Sequence, residues 1–140
     1  MPPNAVIITL KEYEELSSLD GTGSKGDPTI SFSIKTFTNG TPLATSASKI
    51  LLNRNDIDYW SGSISDTISI NPATDSLIIS PKVLEKDALF DDDISPSGGY
   101  IRSPFIGDNG TTLQSYRTYK DIVSKNSLCS ITYDLKFIHK

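Results

Sequence analysis

Three stretches of the chain alternate apolar and polar positions with the period of two that a half-buried strand requires. In TISFSIKTFT, Ile30, Phe32 and Ile34 alternate with Ser31, Ser33 and Lys35, and Asn39-Gly40 follows as a hairpin turn signal. In WSGSISDTISI, Trp60, Ile64, Ile68 and Ile70 share one face and Ser or Thr residues occupy the other. The cleanest case is SLCSITYDLKFIHK, where Cys129, Ile131, Tyr133, Leu135 and Phe137 point one way. That pattern predicts a central strand with its odd-numbered face in the core.

Two shorter apolar runs also read as strands. AVIITL, residues 5–10, is β-branched, and SLIIS, residues 76–80, is bounded by Asn71-Pro72 before it and Pro81 after it. Elsewhere the period changes. Leu10, Tyr13 and Leu16 follow one another at roughly helical spacing, behind a Thr9-Leu10-Lys11-Glu12 capping-box pattern, which predicts a short helix over about 10–19. Residues 82–90 suit one or two helical turns. In 113–125, Tyr116, Tyr119, Ile122 and Val123 fit a helical face better than a strand. The segment 91–112, rich in Asp, Ser, Pro and Gly, reads as a long loop.

These elements predict a mainly β protein, an antiparallel β-sandwich or jelly-roll-like fold with one or two short helices. The expected organisation is an N-terminal strand and short helix forming an arm over 1–20, a Gly-rich connector over 21–28, and a single β domain over 29–140. A length of 140 residues is enough to bury a core without disulfides or metal. The 20 Ser and 13 Thr residues fit the exposed faces of such strands.

Charge narrows the partners. The formal net charge is −4, which argues against a nucleic-acid binder, because phosphate contacts need a concentrated basic face. The distribution is uneven: residues 54–108 carry ten acids against four bases, and 109–140 carry five bases against two acids. Opposite-sign halves favour attraction within the fold or association of copies. The N-terminus has no basic region preceding an apolar run, and nothing approaches the roughly 20 apolar residues of a membrane helix. The expectation is a protein made in the cytoplasm without a signal peptide and acting off the membrane.

Candidate chemistry is sparse. Residues 21–26, GTGSKG, match the G-x-G-x-x-G spacing of a dinucleotide loop. That loop must follow a strand and open a helix, whereas here a predicted helix precedes it and a strand follows. Ser46-Ala47-Ser48-Lys49 matches S-x-x-K without its companion elements. The one histidine, His139, lies next to the last residue, and Cys129 sits on an apolar strand face. No catalytic residue and no cofactor is therefore expected.

Oxygen-rich stretches are the better candidates. Asp91, Asp92 and Asp93, and separately Asn53, Asn55, Asp56 and Asp58, offer the carboxylate and amide ligands that calcium takes in irregular loops, outside the EF-hand register. Asp91–Asp93 are taken as a candidate calcium loop. Tyr59-Trp60 would place one ring inward and one outward, making the pair a candidate contact for carbohydrate or protein.

The Ile-, Ser- and Thr-rich β pattern, with a glycine-containing connector and no catalytic constellation, resembles small structural proteins of bacteriophage particles. Such a resemblance implies a non-enzymatic head-decoration, fibre or tail component in a virion, binding a capsid or tail-type protein partner as a homo-oligomer. The alternative is a ligand-binding β-sandwich that takes carbohydrate or works with Ca²⁺.

Overall fold

A computed structural model describes residues 3–16, 26–71, 74, 76–86, 92–96 and 118–140. Among these residues the regular structure is strand throughout: β1 (Ala5–Glu15), β2 (Pro28–Thr38), β3 (Thr41–Pro42), β4 (Ser46–Ala47), β5 (Leu52–Asn53), β6 (Tyr59–Ser69), β7 (Ser76–Glu85), β8 (Asp92–Asp93), β9 (Thr118–Lys125) and β10 (Cys129–Ile138). They form two antiparallel sheets, ordered β6-β1-β10-β9 and β3-β2-β7-β8. Three two-residue pieces, β3, β4 and β5, pair in turn along the same strand, β2. Together they make one interrupted edge for the second sheet.

Alternation decides which side chains enter the space between the sheets. Val6, Ile8 and Leu10 of β1 and the odd-numbered residues of β10 meet Ile30, Phe32 and Ile34 of β2 and Leu77, Ile79 and Val83 of β7, all buried. Phe32 and Tyr133 join the layers edge to face, with ring centroids 4.8 Å apart. The Tyr133 hydroxyl meets Ser124 Oγ at 3.1 Å, which gives the buried phenol a polar partner. The Asn39-Gly40 turn has positive φ at both residues, 49° and 77°, as a two-residue hairpin matching the strand twist demands.

The mainly β sandwich holds as expected, and its helices do not. Residues 10–15, read as the start of a helix, belong to β1; 17–19 lie outside the described residues. Leu10 and Tyr13 are both buried at a spacing of three because Lys11 is an extra residue opposite β10; against β6 the register shifts the other way, with the extra residue in β6. In β9 the same thing happens. Tyr119 pairs with Leu135 and Ile122 with Tyr133 across a shift that leaves Asp121 at φ 56°. Residues 118–125 are therefore strand and not helix, and 113–117 lie outside the described residues.

Strand β7 also runs on through Pro81 to Glu85, over residues 82–85 that had been read as helical turns; 87–90 lie outside the described residues. Pro81 sits opposite Phe32, whose N–H bonds to Ser48 Oγ on the far side of β2, so the missing proline N–H costs the β2–β7 ladder nothing. Most of the expected 91–112 loop is likewise outside the description, apart from β8 and the residues following it. Finally, Ala5–Glu15, the strand and helix of the expected arm, is flanked on both sides by β6 and β10 inside its sheet.

Candidate functional site

The connections leaving β1, β5 and β7 meet at one end of the sandwich, around Gly26 and Asp27. Gly26 forms an isolated antiparallel bridge with Ile57, whose N–H donates to Gly26 O at 2.9 Å. The Asp56 N–H donates to Asp27 Oδ1 at 2.6 Å, and the Lys86 N–H donates to Asp27 O at 3.1 Å. In return, the Asp27 N–H donates to Glu85 Oε2 at 2.8 Å, and the Gly26 N–H to Glu15 Oε2 at 3.1 Å. Carboxylates from the ends of β1, β2 and β7 thus tie backbone from the neighbouring connections.

Asp56 holds φ 56°, the left-handed conformation that Asp and Asn tolerate better than most residues. With Asn53, Asn55 and Asp58 it lines the exposed rim of this end, while Glu85 is buried and Asp27 half-buried. The Lys86 ammonium donates to Asn53 Oδ1 and, at 2.9 Å, to Asn55 Oδ1.

Beneath the rim lies Tyr13, fully buried, its hydroxyl without a hydrogen-bond partner among the described residues. Burial raises the Tyr13 pKa, reinforced by Cys129, Glu15, Glu85 and Asp58, so the phenol stays protonated at this end. Cys129 is also buried, its thiol pushed up to about 11 by burial, and its Sγ–H donates to Ile94 O at 3.4 Å. Such a thiol is inert at neutral pH.

The acidic triplet is less available than its letters suggest. Asp91 lies outside the described residues, and Asp92 and Asp93 form the exposed strand β8. Asp93 Oδ1 accepts from Ser95 Oγ at 2.5 Å and from Ser95 N at 2.9 Å, which holds its carboxyl below the ordinary range. Among the described residues, no three acidic, histidine or cysteine side chains form a ready metal cluster.

Tyr59 and Trp60 follow directly from the rim. Tyr59 points outward, 53 % exposed, its hydroxyl donating to Glu12 Oε2 at 3.4 Å, while Trp60 packs against the core. A Cβ at Gly62 would lie 2.7 Å from the Trp60 ring, so glycine leaves room for the indole.

Ser46 and Lys49 of the S-x-x-K match line an open polar groove of about 420 Å³ between β4 and β6, together with Asp66, Thr67 and Ser69. The motif's other serine, Ser48, is occupied in accepting the Phe32 N–H at 2.6 Å. Of GTGSKG only Gly26 is described. The flanking elements β1 and β2 are both strands, so the strand-then-helix context of a dinucleotide loop is missing there.

Asn53, Asn55, Asp56 and Asp58 were legible as a group of oxygen ligands, whereas Asp27, Glu85, Tyr13 and Lys86 were not. Carrying the alternation Leu77-Ile79-Pro81-Val83 one step further places Glu85 inward, and an inward acid at a strand end is the signal that would have found it.

No protein-family model matches the chain, and no curated protein matches it. Two solved structures of human GIVD cytosolic phospholipase A2 share its fold. One, in complex with a methyl gamma-linolenyl fluorophosphonate inhibitor and terbium chloride, aligns over 99% of this chain at 10% identity with a TM-score of 0.65. The other, with methyl gamma-linolenyl fluorophosphonate, aligns over 99% at 11% identity with a TM-score of 0.59. The chain spans only 18% and 17% of the phospholipase chains it matches, and at this identity the likeness is one of fold.

Proposed function

We propose that the chain is a non-catalytic binding module that works through the Gly26–Asp27 end of the sandwich, where it takes a hard divalent cation of the calcium type. The observation that carries this reading is the convergence of oxygen donors from three connections. Asp27, the Asn53–Asp58 rim and Glu85 meet at one end, and a buried phenol without a partner lies beneath them. Calcium takes about six to eight oxygens from carboxylates, amides, carbonyls and water in irregular loops. The donor set of this end, carboxylates and asparagine amides without histidine or thiolate, is of that kind. A bound cation would neutralise an acidic surface and leave coordination positions open for an anionic oxygen ligand of a partner. The similar phospholipase was solved with terbium chloride, and terbium is likewise a hard, oxygen-seeking cation.

Terbium also supplies the test, because Tyr59 and Trp60 stand next to the rim and can sensitise its emission. Titrating Tb³⁺ should give saturable luminescence excited through the aromatic rings and displaced by Ca²⁺. Under the same conditions Ca²⁺ should raise the melting temperature by a few degrees at about a hundredfold excess over Kd, and EDTA should reverse the shift. The absence of both emission and a shift at millimolar cation would overturn the reading.

Nothing in the fold or the comparisons bears on the expected bacteriophage role. An assembly role would use a different surface, the β6 edge of the four-stranded sheet. There Asp66 Oδ1 already accepts the Thr67 N–H at 3.0 Å, which opposes strand addition, so this reading stands second.

A further inference from the structure

Lys86 places its ammonium in the rim. It follows Glu85 at the end of β7, its N–H is held by Asp27 O, and its side chain crosses to the β5–β6 connection. There the ammonium takes the side-chain oxygens of both Asn53 and Asn55. These two amide oxygens belong to the donor set that a hard cation needs, and an ammonium uses the same lone pairs. We propose that Lys86 is a tethered competitor for the cation site: its ammonium occupies Asn53 and Asn55 until a metal ion displaces it, and so sets the concentration at which the site fills.

The physical argument has two parts. Oxygens that solvate a lysine are unavailable to a metal, and an ammonium a few ångströms from a divalent cation repels it even on an exposed rim, where water and salt weaken the effect. Displacement is also local. Lys86 sits on a flexible four-carbon stem and can swing into water, whereas its backbone stays fixed by the Asp27 bond. Asp27 is held beside Asp56 by the Asp56 N–H, which donates to Asp27 Oδ1.

The inference rests on the proposed cation site, and the experiment separates the two. Tb³⁺ and Ca²⁺ titrations, read by sensitised emission, would compare the wild-type chain with Lys86→Met, which keeps the apolar stem and removes the charge. The expected result is binding about tenfold tighter in Lys86→Met. Asn53→Ala/Asn55→Ala should weaken binding in both backgrounds and erase most of the difference between them.

Melting temperatures in EDTA show that each variant is folded. Binding by Lys86→Met alone, with none by the wild type, supports the competitor in its strongest form. Equal affinity of wild type and Lys86→Met overturns the competitor and leaves the cation site standing. No binding by either chain overturns both.

Discussion

The space between the sheets and the Gly26–Asp27 end hold the same strands in register by opposite means. Between the sheets the contacts are apolar, and Tyr133 and Ser124 there pair their hydroxyls. At the end, buried and half-buried carboxylates accept backbone N–H groups from connections that have no strand partner of their own. An apolar interface is non-directional and tolerates conservative exchange, whereas a carboxylate hub specifies positions one hydrogen bond at a time. The contrast indicates that global stability resides in the sheets and that the arrangement of the rim can be altered separately.

Breaking the sheet side should have the largest effect. Phe32→Ala removes the ring that joins the layers at Tyr133 and should cost about 3–5 kcal/mol in urea or thermal unfolding, as one cooperative loss. Glu85→Ala tests the other side. It leaves the half-buried Asp27 N–H without its acceptor and should cost about 1–3 kcal/mol. Its signature should be faster amide exchange at Gly26, Asp27, Asp56 and Ile57, with the β2, β7 and β10 amides unchanged. A uniform rise across both sheets would erase the distinction between the two regions.

The smallest effect should come from the outer face, where Lys11 bonds Asp121 at 2.6 Å and lies 3.6 Å from Asp134. The Lys11 hydrogen bond holds the Asp121 carboxyl below its ordinary range. That contribution is present above the unfolded carboxyl pKa and lost as pH falls through the lowered folded value. Lys11 itself is raised, by Asp121 first, so its contribution is present below the unfolded lysine pKa and lost as pH rises through the raised folded value. At neutral pH both operate. Lys11→Met should therefore lower the unfolding midpoint slightly at pH 7 and much less below pH 3 or in molar salt, where exposed pairs are screened.

β2 and β10 were legible in the sequence because their alternation is unbroken and each buries one face; β6 was legible because Trp60, Ile64 and Ile68 keep an even spacing even though its pairing with β1 shifts register. β1 and β9 were misread for one shared reason. A single added residue, Lys11 in one and Asp121 in the other, moves the next inward side chain from a spacing of two to three, which imitates a helix. The two residues at these irregularities are bonded to each other across the intervening strand β10. No local window contains both, so the pattern that explains the spacing spans more than a hundred positions. The rim was half legible on the same grounds. Asn53–Asp58 are close in sequence, whereas Asp27 and Glu85 join them only through pairing at long range.

The pairing of β1 with β10 also orders events in time. Asn4 N bonds Ile138 O at 2.9 Å, and Lys140 N bonds Asn4 Oδ1 at 2.8 Å, so the first described strand meets a neighbour made more than 120 residues later. Closing so large a loop is slow, and during synthesis AVIITL waits with one side open. An uncharged β-branched hexapeptide in that condition is prone to pair with other chains. The run that follows it, Lys11-Glu12-Tyr13-Glu14-Glu15, puts four charges on the same strand. Those charges, besides the bonds that Lys11 and Glu15 make in the finished fold, oppose pairing with other chains during the interval before β10 arrives.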